Sequence, residues 1–141
     1  MSVNFKLKKI GGKTYIYDIA RKKYVLLTPE EIVRQSVLHL LIKKKYPLSL
    51  IRLEHVIKVG HNDKRTDITV FSRDGKVFMI IECKAPSENL TEKTITQISV
   101  YNSVLDARYL VVTNGKKMFV FKRNSNEFYE KVNDIPNYNS I

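Results

Sequence analysis

The sequence TDITVFSRDGKVFMIIECK, residues 66–84, decides the fold. It contains two apolar, β-rich runs separated by an Asp-Gly pair at residues 74–75. Asp-Gly between such runs predicts a hairpin turn, because glycine accepts a positive φ at no steric cost. With the turn centred on this pair, Asp67 on the first strand lies directly opposite Glu82 on the second. We expect the two side chains to share one face of the hairpin, with Cβ atoms about 4.5–5.5 Å apart.

Lys84 joins this pair of carboxylates. It follows Glu82 by two residues, so strand alternation places it on the same face. Two directly opposed carboxylates repel each other, and a divalent cation with oxygen ligands would remove the conflict. We therefore predict a metal site at Asp67 and Glu82, with Lys84 holding or activating a water. The alternative is a solvated face with a salt bridge to Lys84. The other face of the hairpin is predicted to be a core face, made of Ile68, Val70, Met79 and Ile81.

The composition indicates one globular domain with a basic surface. The chain has 141 residues, of which 43% are hydrophobic, and its net charge of +11 favours a polyanionic partner. The single cysteine, Cys83, excludes an internal disulfide and a zinc site built on several cysteines, and it fits a reducing, cytoplasmic compartment. The charged N-terminal residues lack the apolar segment of a signal peptide, and no apolar run is long enough to span a membrane.

The 141 residues divide into three predicted parts of a single domain. Residues 1–27 alternate around two glycines and predict a β-hairpin or an extended β arm. Residues 28–122 are predicted to form the core, an α/β (α+β) mixed sheet flanked by helices at about 29–45 and 92–106. The second helix connects two strands, which are therefore expected to be parallel. Residues 123–141 are expected to add an edge strand and a frayed, Asn-rich tail.

Polar residues on the two helices and before the hairpin extend the predicted site. The first helix begins with the capping box Thr28-Pro29-Glu30-Glu31. Its apolar stripe places Glu30 toward the sheet and Glu31 toward one flank, and one of them could complete the metal site. Capping and the helix dipole explain both acids without a metal. Lys64 and Arg65 precede Asp67, where they could hold phosphates.

The second helix is predicted to place Gln97 and Tyr101 beside the site. Gln97 lies one turn before Tyr101 within the predicted inward stripe, although a surface glutamine near the helix start is the alternative. That stripe is predicted to consist of Thr94, Ile98, Tyr101 and Leu105.

Together, these motifs resemble the PD-(D/E)xK nuclease superfamily. The segments that carry the resemblance are Thr66-Asp67, Glu82-Cys83-Lys84 and Gln97-x-x-x-Tyr101. With the framing segments at 28–35, 82–86, 97–102 and 112–115, the chain from about residue 24 to 121 resembles the N-terminal nuclease domain of type I restriction enzyme R subunits. Thr66 departs from the superfamily motif, which has a proline at this position.

The resemblance implies a restriction-endonuclease-like fold with an αβββαβ core. It implies a metal-dependent endonuclease that hydrolyses DNA phosphodiester bonds with Mg²⁺, for which Mn²⁺ can substitute. The implied metal ligands are Asp67, Glu82, the Cys83 backbone carbonyl and Glu31, which matches the helix-1 acid of the family by its spacing to Arg34. The implied catalytic residues are Asp67, Glu82, Lys84 and Gln97, and the predicted DNA-binding residues are Lys64, Arg65 and Tyr101.

The resemblance also implies partners. These are DNA and the helicase (translocase) and specificity subunits of a restriction system; the sequence leaves a homodimer and cleavage of RNA open. The competing hypothesis is a nucleic-acid-binding or assembly module that has the same fold but does not cleave. Metal binding at Asp67 and Glu82 would distinguish the two hypotheses.

Overall fold

The computed structural model describes residues 4–140, which form two β-sheets and two α-helices. Near the N-terminus, three strands form a small antiparallel sheet: β1 (Leu7–Ile10), β2 (Lys13–Asp18) and β3 (Lys23–Leu26). The remaining elements are α1 (Pro29–Lys43), β4 (Ile51–Val59), β5 (Asn62–Phe71), β6 (Val77–Cys83), α2 (Glu92–Ser103), β7 (Tyr109–Thr113), β8 (Met118–Arg123) and β9 (Tyr129–Val132). The order from α1 to β7 confirms the predicted αβββαβ core. No helix in this described part is long and apolar enough to cross a membrane.

The six-stranded sheet follows the order of the chain, from β4 to β9. Strands β6 and β7 are parallel, as the helical connection predicted, and the other neighbouring pairs are antiparallel. A parallel pair needs a long crossover, and α2 supplies it. The mixed sheet with its flanking helices is the predicted restriction-endonuclease-like fold.

Two apolar clusters hold the helices on the sheet. The larger cluster joins α1 to the sheet, and its fully buried members include Leu38, Leu41, Ile68, Val70, Met79 and Ile81. The smaller cluster lies beside the end of α2 and contains Ile80, Leu105, Ala107 and Leu110. Each buried aliphatic side chain of this size contributes about 1.5–3 kcal/mol relative to an exposed one. The core face predicted for the hairpin is therefore confirmed.

The buried face of α1 is broader than the predicted apolar stripe. Thr28 caps the helix, and its Oγ1 accepts a hydrogen bond from the Glu31 amide at 3.0 Å. Glu31, Arg34 and Gln35 are all buried, whereas Glu30 is exposed. The prediction that Glu30 points toward the sheet is therefore wrong. The helix buries polar side chains that bond one another, and a stripe defined by apolar residues alone does not include them.

The C-terminal tail is packed against α1, so the prediction of a frayed tail is wrong. Ile135 is only 1% exposed. The Tyr46 hydroxyl donates to the Pro136 carbonyl at 2.8 Å, and the Tyr138 amide donates to the Lys44 carbonyl at 2.8 Å. We call these two hydrogen bonds the tail clamp. Ile135 and the partly buried Tyr138 anchor this polar segment to the larger cluster, which composition alone does not indicate.

Strands β4 and β5 change faces where Glu54 lies opposite Asp67. The pairs on either side of this position are in one continuous register, while Glu54 itself has a φ of 48°. Leu53 packs against the larger cluster, whereas Ile57 and Val59 pack against the smaller one. Strict alternation would place all three on one face. The irregularity therefore turns the outer halves of β4 and β5 toward α2 and leaves Asp67 at the point of change.

Candidate active site

The hairpin register places Asp67 opposite Glu82, as predicted, although the turn differs from the prediction. The pairs Ile68–Ile81 and Val70–Met79 continue directly to Asp67 and Glu82. The loop covers residues 72–76, and the strand register shifts at Val70/Phe71, directly before the loop. Such a shift inserts one extra residue into one strand. The bulge offsets the displaced turn, so the predicted register holds where the carboxylates lie.

Asp67 is anchored by the backbone of the neighbouring strand. Its Oδ2 accepts a hydrogen bond from the Cys83 amide at 2.7 Å. The carboxylate thereby replaces a ladder hydrogen bond at the end of β6, next to the position where β5 changes face. This contact holds the half-buried Asp67 side chain against the residue that follows Glu82.

Glu82 lies in a site that disfavours its charge. Burial is the main cause, and the adjacent carboxyl group of Asp67 adds to it; together they raise the pKa of Glu82 to about 8. A hydrogen bond to Asp67 acts in the same direction, while a hydrogen bond from Asn102 opposes it. The Asn102 Nδ2 donates to Glu82 Oε1 at 3.3 Å. Without a cation, burial and the neighbouring Asp67 therefore favour the protonated form of Glu82.

Asn102 is a site residue that the sequence analysis did not identify. It is buried on α2, and its Oδ1 has no hydrogen-bond partner within residues 4–140. Seven residues separate it from the buried Ile95, which corresponds to two helical turns and one shared face. That spacing is the signal that could have identified it.

Lys84 lies directly beyond the end of β6. Its amide donates to the Thr113 carbonyl at 2.8 Å, which fixes the backbone, and its side chain is half-buried. Its positive charge opposes the rise in the pKa of Glu82, although less than the other causes raise it. The structure therefore brings Asp67, Glu82 and Lys84 to one place.

Lys64 is buried beneath an exposed tyrosine beside Glu82. It is only 4% exposed, and its Nζ lies 3.1 Å from the ring centroid of Tyr101, which is 60% exposed. Nζ has no hydrogen-bond partner in the described chain. Burial lowers the pKa of Lys64, and the charge of Glu82 opposes that effect. A cation–π contact thus holds this ammonium group where a hydrogen-bonding partner is missing. Arg65, the next residue, is exposed.

Glu31 belongs to an ion-pair network rather than to a cluster of carboxylates. Its two carboxylate oxygens accept hydrogen bonds from Arg34 Nη1 and Gln35 Nε2, both at 3.3 Å. Arg34 also lies 3.7 Å from Glu54, which pairs with Arg21 at 3.1 Å. Across residues 4–140, no three His, Cys, Asp or Glu side chains form a group that could hold a metal ion. The structure therefore joins Asp67 and Glu82 but does not add Glu31 to them.

The predicted inward stripe of α2 is confirmed at Ile98 and Leu105 but is wrong at Tyr101, and the inward position predicted for Gln97 is also wrong. Gln97 and Tyr101 are exposed, and no hydrogen bond connects Gln97 to the carboxylate pair in the described chain. The inward side of α2 instead carries Ile95, Ile98, Ser99 and Asn102. The structure thus places Tyr101 over Lys64 and leaves Gln97 in solvent.

The chemistry of the donors fits a hard divalent cation. Asp67 and Glu82 supply carboxylate oxygens, and the buried, unpartnered Oδ1 of Asn102 lies on the side chain that bonds Glu82. Mg²⁺ is commonly bound by one or two carboxylates, with waters and substrate phosphates as the remaining ligands. A cation between the two carboxylates would also remove the electrostatic conflict that favours the protonated form of Glu82.

Comparison with known proteins gives a family match over most of the chain. Residues 29–136 match the family described as type I restriction enzyme R protein N terminus (HSDR_N). A fragment structure of a proposed HsdR subunit of a type I restriction enzyme from Vibrio vulnificus is similar, with a TM-score of 0.56 and 18% identity. The match covers 78% of this chain and 24% of that one, so the present chain corresponds to about a quarter of its length.

A second solved structure is that of a proposed nuclease from Anabaena variabilis, with a TM-score of 0.48 and 14% identity. The match covers 89% of this chain and 75% of the Anabaena chain. A search of curated proteins found no sequence that matches.

Proposed function

Because the chain belongs to the family of type I restriction enzyme R protein N termini, we propose that this nuclease-like domain is an endonuclease that hydrolyses DNA phosphodiester bonds with Mg²⁺. The observation that carries the proposal is the adjacent Asp67 and Glu82 pair, in which the pKa of Glu82 is raised to about 8. Without a cation, burial and mutual repulsion disfavour the doubly charged form of this pair. Perturbed carboxylates of this kind are characteristic of functional sites.

The residues of the chain have separate roles in this proposal. Asp67 and Glu82 would hold the cation, with Asp67 oriented by the Cys83 amide and Glu82 by Asn102. The chemistry that Mg²⁺ supplies when bound is neutralisation of phosphate charge and acidification of a water. Lys84 would hold the attacking water or a phosphate oxygen on the same side of the sheet.

Basic residues beside the pair would position the DNA strand. Lys64 carries an ammonium group with no hydrogen-bond partner within residues 4–140, and Arg65 is exposed next to it. The aromatic ring of Tyr101 covers Lys64 and remains open to solvent, so it can meet a sugar or base first. Phosphate contacts of this type fix the register of a nucleic acid without reading its sequence. We propose that the substrate is DNA in the cytoplasm and that the partners are the helicase and specificity subunits of a restriction system.

The decisive experiment is a cleavage assay with Mg²⁺ or Mn²⁺ on single- and double-stranded DNA and RNA. Glu82→Gln keeps the side-chain shape but removes a ligand charge, and we expect it to lower cleavage by roughly a hundredfold or more. Lys84→Ala should lower cleavage similarly but leave metal affinity, measured by calorimetry, unchanged or tighter. Glu130→Gln, an exposed carboxylate on β9, is the matched control.

The same assays, on Glu82→Gln and on the parental protein, also distinguish the endonuclease from the alternative. That alternative is a nucleic-acid-binding or assembly module that does not cleave. Cleavage by Glu82→Gln at the parental rate would refute the proposed mechanism. DNA binding without cleavage or metal binding in the parental protein would favour the alternative.

A further inference from the structure

A hollow lies at the other end of the sheet from Asp67 and Glu82. It has a volume of about 680 Å³. Phe78 on β6 lines it, and four residues separate Phe78 from Glu82, which corresponds to about 13 Å along a strand. Its remaining lining residues come from the segment after α1, the end of β5, the hairpin loop, the start of β7, β8 and the C-terminal tail. We call it the aromatic–basic pocket.

Five aromatic rings line the aromatic–basic pocket. Phe71 and Tyr138 are half-buried and present ring surface to solvent, while the others are buried behind them. Tyr138 meets Tyr46 edge-on at a centroid distance of 5.4 Å, and Phe78 packs against Tyr109 at 5.3 Å. Burial raises the pKa of the Tyr46 hydroxyl, which stays neutral and bonded to the tail. These contacts hold the rings in fixed orientations, as a stacking site for a flat ligand requires.

Three cations line the same pocket, and no carboxylate does. Arg73, Arg108 and Lys122 contribute to its lining. In residues 4–140, none of the three pairs with a carboxylate within 4 Å, although Glu130 lies across from Lys122 on β9. The Arg73 guanidinium lies 5.7 Å from the Tyr138 ring centroid, so a cation and an aromatic surface lie side by side. This combination matches a ligand that has both a flat ring and an anionic group.

Two smaller hollows adjoin the pocket and continue its basic character. One shares Ser72, Phe78 and Arg108 with it and adds Lys76, together with an Asp106–Arg123 ion pair that is neutral in sum. The other shares Phe71, Ser72 and Arg73 and adds Arg52. The hollows follow the hairpin loop on both sides, which gives an extended, positively charged path rather than a closed cavity.

We propose that the aromatic–basic pocket binds one nucleotide of a nucleic-acid strand, with the base against the aromatic rings and the phosphate at Arg73, Arg108 and Lys122. The neighbouring hollows take the adjoining phosphates. Stacking on aromatic side chains combined with a basic groove is how proteins bind single strands without sequence preference. The inference stands independently of cleavage at Asp67 and Glu82, because it uses none of those residues.

The test measures binding of a short oligothymidylate and of thymidine monophosphate without metal. Fluorescence anisotropy follows the oligonucleotide, and NMR chemical shifts follow the mononucleotide. Arg108→Ala and Tyr138→Leu should each weaken oligonucleotide binding roughly fivefold or more. Lys13→Ala removes one charge from the exposed first residue of β2 and is the matched control, with an expected change below twofold. Arg108 is exposed, so its variant should fold even if Tyr138→Leu loosens the tail.

The outcomes separate the two sources of a nucleotide. Shifts of the pocket aromatics with the mononucleotide, together with weaker oligonucleotide binding in both variants, support a strand-binding subsite. Shifts with the mononucleotide but unchanged oligonucleotide binding assign the pocket to a free nucleotide. If no pocket resonance shifts and Arg108→Ala binds both ligands like Lys13→Ala, the proposal is overturned. These binding measurements contain no metal and need no cleavage, so failure of the cleavage proposal would be distinguishable from failure of this one.

Discussion

Replacing Glu82 with glutamine should make the metal-free protein more stable above neutral pH. Burial and the neighbouring Asp67 raise the pKa of Glu82 from 4.5 to about 8 in the folded protein. Between these values the folded state holds a proton that the unfolded state has released. The resulting stabilisation is fully present below pH 4.5 and is lost as the pH rises through 8. Glutamine carries no charge at any pH, and it therefore avoids this loss.

The size of the effect follows from the same pKa. One pH unit corresponds to about 1.36 kcal/mol, so a rise from 4.5 to about 8 gives an upper limit of about 5 kcal/mol. Water entry and movement of the carboxylates reduce such energies in real proteins. We therefore expect Glu82→Gln to raise the free energy of unfolding by about 1–3 kcal/mol at pH 9.

Urea unfolding followed by circular dichroism, in the presence of a chelator, measures this difference from pH 4.5 to 9. The gap between Glu82→Gln and the parental protein should be small at pH 4.5 and grow until about pH 8. Glu130→Gln, on the exposed strand β9, should show no such growth. Added Mg²⁺ should narrow the gap, because binding stabilises only the protein with both carboxylates. A gap that stays constant across the pH range would refute the reasoning.

Three further predictions concern the tail, the hairpin after β7 and the basic surface. Ile135→Ala should lower the free energy of unfolding by about 2–4 kcal/mol in urea titrations, since it empties a fully buried site; a change near zero would show that the tail does not belong to the core. Gly115→Ala should lower the melting temperature, because the residue has a φ of 86° and the added Cβ would lie 3.3 Å from Val33 Cγ2; an unchanged melt in scanning calorimetry would contradict this. DNA affinity should fall steeply with salt in anisotropy titrations, because phosphate contacts release counterions; affinity independent of salt would argue against a surface that follows the DNA backbone.

The register of the central hairpin was predictable because the apolar core face of both strands specifies it. Alternating apolar residues assign one face to the core, and a slip by one residue would turn that whole face to solvent. The bulge at Val70/Phe71 then offsets the displaced turn, so Asp67 and Glu82 meet although the turn is not centred where it was predicted. Core packing, rather than the Asp-Gly turn, therefore determines where the carboxylates lie.

The orientation of α2 could not be predicted with the same accuracy. The helix has few large apolar residues, so two neighbouring phases fit the sequence about equally well. Its contact with the sheet uses Asn102, whose amide reaches Glu82, and a polar residue does not contribute to an apolar stripe. The predicted phase placed Gln97 inward for this reason, although it is exposed.

The position of Lys64 depends on an irregularity that alternation cannot show. The positive φ of Glu54 marks the place where β4 and β5 change faces, and glutamate gives no sequence signal for that conformation. Lys64 consequently becomes buried beneath Tyr101 instead of standing in solvent before the hairpin. The contact between Lys64 and phosphate stays a prediction. Because the Tyr101 ring covers Lys64, a phosphate can reach the ammonium group only if Tyr101 moves aside or contacts the same ligand.

The order of the large sheet has a consequence for how the chain folds. Every neighbouring pair of strands is also consecutive in sequence. Each pairing therefore closes only a short loop of the chain, which costs little entropy. The longest connection between two paired strands is the one that contains α2. The tail clamp is different, because Tyr46 and Pro136 are 90 residues apart. We infer that strands assemble in sequence and that the clamp forms after the rate-limiting step. Tyr46→Phe, which removes one clamp hydrogen bond, should therefore accelerate unfolding in stopped-flow experiments and leave the refolding rate almost unchanged.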